Sequence, residues 1–224
     1  MISKFHNLDK YVAEFLGTFV MMIIGTGYCL FIGSGNPYFV ALAFVLPILV
    51  MIFAVGDLSG AHFNPAVSLA FWLVHQLSGR EFIGYLVAQF LGATAASGLL
   101  RNWTLAAGLS AQHLGETDFS INAGSAFLIE MTITFILVGV ILFVTDTDFG
   151  HPEAGPWVIG VVLGCLIILG QKLTGASLNP ARSFGPAIFL GGQVLRHYWL
   201  YVLAPLAGGA LAALVYRVIK ANRA

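Results

Sequence analysis

The sequence predicts an all-α membrane protein in which six transmembrane helices and two re-entrant half-helices form an inverted internal repeat. Three observations carry that expectation. Of 224 residues, 58% are hydrophobic and 9% charged, with a mean hydropathy of +0.90. Water-soluble domains carry roughly a quarter charged residues, so a bilayer is needed as the solvent for most of this apolar surface. Six apolar stretches are long enough to cross a hydrocarbon core of ~30 Å as helices, and two shorter ones each open on Asn-Pro-Ala. The chain also resembles itself: Asn64 recurs as Asn179, about 115 residues on.

In chain order the spans are read at 11–33, 39–55, 82–100, 124–144, 157–173 and 198–218. The residues up to Lys10 are polar, and the apolar run that follows is too long for the h-region of a cleaved signal peptide, so it reads as a retained first span. The short apolar pieces at about 63–74 and 178–190 cannot cross. Proline suits the first turn of a helix, and a helix that opens inside the membrane leaves backbone N–H groups free. That is tolerable only beside a wet cavity, which is the first pointer to a pore. Lys4, Lys10, Arg80, Arg217, Lys220 and Arg223 fall on the side of the termini, against Arg101, Lys172 and Arg196 opposite. This excess predicts cytoplasmic termini, in a plasma membrane.

The repeat is specific. Ser59-Gly60-Ala61-His62-Phe63-Asn64-Pro65-Ala66 pairs with Thr174-Gly175-Ala176-Ser177-Leu178-Asn179-Pro180-Ala181. Glu14 precedes the first asparagine and Glu130 the second by about 50 residues. Each half reads as a span with a glutamate, a span, a short helix and a span, and an odd number of spans turns the second copy upside down. Inverted repeats with half-helices meeting near the midplane recur among membrane transport proteins. One channel domain is expected over residues 1–224, with repeats at about 8–104 and 122–220.

On these residues the chain resembles the aquaporin (major intrinsic protein) family over nearly its whole length. The resemblance implies a right-handed six-helix bundle, half-helices meeting at mid-pore, and a homotetramer with one pore per subunit. It implies that Asn64, Pro65, Ala66, Asn179, Pro180 and Ala181 are the two pore motifs, with the asparagine amides facing passing water. Helix capping is the plainer role of both asparagines and is compatible with the first. Carbonyls of Gly60, Ala61, His62, Phe63, Gly175, Ala176, Ser177 and Leu178 are expected to line the pore as acceptors. Glu14 and Glu130 are expected to hold the pore loops, although a carboxylate inside a span can also serve as a proton relay. Arg182 matches the arginine of the outer constriction; an interfacial, snorkelling arginine is its alternative.

Spacing from the asparagines assigns the constriction to Phe44, Ile167, Ala176 and Arg182. Strict water channels resemble Phe, His, a small residue and Arg at these places, and glycerol facilitators Trp, Gly, Phe and Arg. Ile167 therefore departs from both. Water is expected first, with passage of glycerol, ammonia, hydrogen peroxide or hydrogen sulfide, and a glycerol-passing facilitator is the alternative. A coupled secondary transporter is a remote alternative, because it needs an ion site for which Glu14 and Glu130 are the candidates.

Other functions find no footing. There is no HExxH, GxSxG or phosphate-binding loop, and Gly25-Thr26-Gly27 lacks a third glycine, so no enzyme is expected. Cys29 and Cys165 have no CxxC spacing, so neither metal nor cofactor is expected. No run of Lys or Arg suggests nucleic acid. The expected partners are water, small neutral solutes and lipid. The 145–153 loop carries three carboxylates and a histidine and reads as solvated, with a gate responding to pH or calcium as its alternative. Gly160 and Gly164 form a GxxxG pattern that permits close packing within the chain.

Overall fold

The computed structural model describes residues 6–223; Lys4, counted above, lies outside them. Among the described residues all regular secondary structure is helical, without strands. The first span is α1 (His6–Met21), a π-helical turn (Met22–Thr26) and α2 (Gly27–Phe31). There follow α3 (Pro37–Ser59), the half-helix α4 (Pro65–Leu73), α5 (Gly79–Ala106), α6 (Ala123–Val144), α7 (Gly155–Thr174), the half-helix α8 (Pro180–Leu190) and α9 (Gly192–Ala221). Six of these segments are long and apolar enough to cross a membrane.

The helices start where local chemistry allows. Asn36 caps α3 by accepting from the Tyr38 N–H, ahead of Pro37. Ser78 and Glu81 form a reciprocal capping box at the start of α5. Lys10 Nζ lies 2.6 Å from Glu81 Oε1, tying α1 to α5. Asn122 caps α6 through the N–H groups of Gly124 and Ser125.

The two halves repeat one packing scheme. α1 lies along α5 as α6 lies along α9, and α3 packs on α7 across the halves. The close crossings rest on glycine. A Cβ on Gly92 would stand 2.6 Å from the Phe15 carbonyl oxygen, and one on Gly208 would stand 2.3 Å from that of Met131. Gly160 faces Leu49 of α3 and Gly164 faces Val45, so the GxxxG stripe is used within the chain. Leu46, Val50, Val87, Leu91 and Leu169 stay exposed on the outside of the bundle, as a lipid solvent requires.

Two features depart from the sequence expectations. The first span is not a regular helix. At the π-turn, Gly25 leaves room for the Phe44 ring, which a Cβ there would approach to 2.4 Å. π-Turns of this kind place one extra residue in a helix and recur at functional sites.

The 145–153 loop is also not simply solvated. Asp146 is buried and accepts hydrogen bonds from the Tyr216 hydroxyl, from Lys220 Nζ at 2.8 Å, and from the Asp148 and Phe149 N–H groups. Burial works against its ionisation, but the bonds from Lys220, Tyr216 and the two backbone N–H groups outweigh it and hold the carboxyl well below the usual carboxylate range.

A carboxyl depressed in the folded state stabilises it fully above the unfolded value of about 4 and loses that contribution only as pH falls through the folded value. Asp146→Asn is therefore expected to lower the melting temperature of the detergent-solubilised protein by an amount that stays constant between pH 5 and 8 and shrinks in strong acid. A difference that varied across pH 5 to 8 would contradict this.

Candidate pore and its supporting loops

Each half-helix is reached through a short loop of unusual backbone. α3 ends at Gly60 and α7 at Gly175, both left-handed, with φ of 83° and 79°. The left-handed conformation recurs at Ala61 (53°) and Phe63 (49°), and at Ala176 (45°) and Leu178 (54°). Each non-glycine residue so placed costs roughly 1–2 kcal/mol. Two strained residues per loop therefore need a partner to hold them.

That partner is a buried carboxylate. Glu14 Oε1 accepts from the His62 N–H at 2.8 Å and the Ser59 hydroxyl at 2.7 Å. Glu14 Oε2 accepts from the Phe63 N–H at 2.7 Å and from Gln89 Nε2 at 2.8 Å. Glu130 accepts from the Ser177 and Leu178 N–H groups, both at 2.9 Å, and from the Thr174 hydroxyl at 2.6 Å. Two consecutive loop N–H groups thus converge on one carboxylate in each half, and both glutamates are fully buried. Their accepting capacity is spent inside the protein, which leaves little for carrying protons.

The loops bring the half-helices together end to end. Asn64 caps α4 by accepting from the Ala66 N–H, and Asn179 caps α8 by accepting from those of Ala181 and Arg182. The amides then cross over. Asn64 Nδ2 donates to the Leu178 carbonyl and Asn179 Nδ2 to the Phe63 carbonyl, each at 2.8 Å. This refines the expectation for the carbonyl file, because Phe63 and Leu178 each already accept one proton from the opposite loop. Each asparagine keeps one amide N–H beyond its cross-loop bond.

A cavity of about 520 Å³ runs past these groups. Gly60, Ala61, His62, Phe63, Gly175, Ala176, Ser177 and Leu178 all line it, as do both asparagines. Phe44, Ile167, Ala176 and Arg182 also line it, and all four are buried. The Arg182 guanidinium stands 5.1 Å from the Phe44 ring centroid, and its Nη1 bonds to no described protein atom. Asp57, Thr145 and Glu153 are further lining residues. The His62 ring packs against Phe71 and Tyr85, with Nδ1 3.1 Å from Ser68 Oγ. The described residues hold no group of three or more His, Cys, Asp or Glu that could bind a metal.

Sequence reasoning missed part of the support. The Tyr85 hydroxyl donates to the Ser59 carbonyl at 2.6 Å and that of Tyr201 to the Thr174 carbonyl at 2.7 Å, so a tyrosine pins the last turn before each loop. Gln89 joins Glu14 to Ser68. The shift of 115 that pairs the asparagines also pairs Ser68 with Ser183, and the shift of 116 that pairs Glu14 with Glu130 also pairs Tyr85 with Tyr201, which marks these residues without showing what they bond to.

Glu14→Gln turns an amide donor toward N–H groups that need an acceptor. The expected cost is roughly 2–3 kcal/mol or more, read as a fall of several degrees in melting temperature in detergent. An unchanged melting temperature, together with solute flux that lost a dependence on proton gradient, would make Glu14 a titrating transport site instead.

Comparison with known proteins fits this geometry. The sequence model of the Major intrinsic protein family matches residues 1–216. The chain is 47% identical over 213 residues to glycerol uptake facilitator protein-like 6 of Lactiplantibacillus plantarum, covering 95% of this chain and 98% of that protein. It is 35% identical over 229 residues to aquaporin Z of Rhodopseudomonas palustris, covering 95% and 94%. The X-ray structure of the aquaglyceroporin from Plasmodium falciparum superimposes with a TM-score of 0.83 at 29% identity, covering 94% of this chain and 95% of that one.

Proposed function

The chain belongs to the major intrinsic protein family of passive membrane channels, and from that premise we propose that it is an aquaglyceroporin-type facilitator passing glycerol and similar small neutral solutes together with water. The observation that carries this is the make-up of the constriction. Arg182 offers donors to the cavity, while its neighbour Phe44 and Ile167 give the lining carbon. A lining that is polar in one part and apolar in another suits a short polyol, whose hydroxyls bond to the first while its carbon backbone packs on the second. Water alone gains nothing from the apolar part. The relative named as a glycerol uptake facilitator supports the same side of the choice. The reading that put water first therefore gives way to the polyol-passing one.

Ions are excluded by field and by desolvation. Each half-helix N-terminus carries the equivalent of about half a positive charge. A unit cation ~5 Å from both, at an effective dielectric of ~20, is repelled by roughly 3 kcal/mol in all, which slows it by about two orders of magnitude. Arg182 and the apolar wall supply the rest. Exclusion by an arginine and by half-helix ends is the general mode of aquaporin-type pores. Asn64 and Asn179 orient each passing hydroxyl or water at the crossing. The loop carbonyls other than those of Phe63 and Leu178 hand it along.

The excess of basic residues on the side of the termini supports a cytoplasmic location for them, and the family supports reading the protein as a homotetramer of the plasma membrane with one pore per subunit. Coupled transport has no support in the carboxylates, because Glu14 and Glu130 are bound to the loops.

Stopped-flow light scattering of proteoliposomes tests the solute choice. The parent is expected to conduct glycerol and water, and Ile167→His to lower glycerol permeation roughly tenfold while keeping water. Fast water flux without glycerol flux in the parent would mark a strict water channel.

A further inference from the structure

Thr117 lies on the connection between α5 and α6, outside the parts given a role above, and is buried. Its Oγ1 is 2.6 Å from Ser183 Oγ, which is in turn 2.6 Å from Ser177 Oγ. Ser177 Oγ donates to the Asn179 carbonyl at 2.9 Å. A hydroxyl has one proton to give, and this orders the whole chain. Ser177 has spent its proton on Asn179, so Ser183 must donate to Ser177, and Thr117 must donate to Ser183. Ser177 lies between Ala176 and the Asn179 motif, and Ser183 directly follows Arg182. The chain of hydroxyls therefore ends on the pore loop that carries half of the constriction.

The first repeat shows what this link does. Ser68 occupies the place of Ser183, and His62 that of Ser177. There Ser68 Oγ lies 3.1 Å from His62 Nδ1 and accepts from Gln89 Nε2 at 2.9 Å. Gln89 belongs to α5, a span of the same repeat. In the second repeat the equivalent donor comes from outside the repeat, from Thr117.

The connection is itself held firmly. A Cβ on Gly115 would stand 2.5 Å from the Thr26 carbonyl oxygen at the π-turn, and one on Gly175 would stand 3.0 Å from Thr117 Cγ2. The neighbouring Asp118 accepts from Gln193 Nε2 at 3.0 Å and lies 2.6 Å from His197 Nδ1, both on α9.

We infer that Thr117 is a positioning residue for solute selection: its hydroxyl sets the pore loop that bears Ala176 and the first turn of α8 that bears Arg182, so that the α5–α6 connection, rather than a span of the second repeat, determines the width and register of the constriction. This rests on the reading of the cavity as a solute pore.

The test measures water and glycerol permeation in proteoliposomes of the parent, Thr117→Val and Thr117→Ser. The ratio of the two permeabilities does not depend on how much protein is folded, so a merely structural defect lowers both in step and leaves the ratio alone. Thr117→Val is expected to shift the ratio roughly three- to tenfold, the scale on which losing one buried neutral hydrogen bond moves an equilibrium. Thr117→Ser is expected to keep the parent ratio. If Thr117→Val cannot be recovered, Ser183→Ala breaks the same chain at its next link and is expected to shift the ratio likewise. A parent ratio in the variant that lacks the link, or an equal shift in Thr117→Ser, overturns the inference. A parent that conducts neither water nor glycerol would instead sink the channel reading itself.

Discussion

The structure depends on one arrangement made twice: a buried carboxylate bonded to two consecutive N–H groups of a strained loop. Glu14 takes those of His62 and Phe63, and Glu130 those of Ser177 and Leu178. A charge this deep in a bilayer protein is costly unless fully satisfied. The loops, with left-handed Ala61, Phe63, Ala176 and Leu178, are costly unless held. Each defect compensates the other. Once both are fixed, the amides of Asn64 and Asn179 reach across to the opposite loop, and the reciprocal bonds to Leu178 and Phe63 join the two halves.

On the proposed reading, solute choice is made by side chains that this frame carries. The loops and half-helices supply donors and acceptors along the path, and the proposed constriction draws on Phe44 of α3, Ile167 of α7, Ala176 of the second loop and Arg182 of α8. A change such as isoleucine at position 167 can therefore alter what passes without disturbing how the loops are held. The hydroxyl chain from Thr117 is where the two layers meet, since it reaches the constriction through the loop.

Much of this was legible in the sequence because membrane constraints are coarse and strong. Span number follows from hydropathy and length, and the inverted repeat from paired motifs at matching distances. Glu14 and Glu130 stand out because few carboxylates lie inside spans. What was not legible depended on contacts that periodicity does not encode. Tyr85 and Tyr201 bond to carbonyls on other elements, and nothing local marks a tyrosine for that. The π-turn at Met22–Thr26 sets Gly25 against the Phe44 ring, a tertiary contact that the local sequence does not encode. Asp146 and Thr117 sit in polar connections whose composition suggests solvent, yet both fold back and are buried.

Loops held in this way predict a path through which solutes diffuse without any rearrangement of the protein. The most direct measurement is the temperature dependence of osmotic water flux in proteoliposomes of the unaltered protein, with proton leak followed in the same vesicles. A fixed path requires an activation energy near that of water diffusing in bulk, with no proton conductance above protein-free vesicles. A steep temperature dependence, or flux that saturates and moves protons with it, would mean that the loops move in each cycle and that the protein is a carrier.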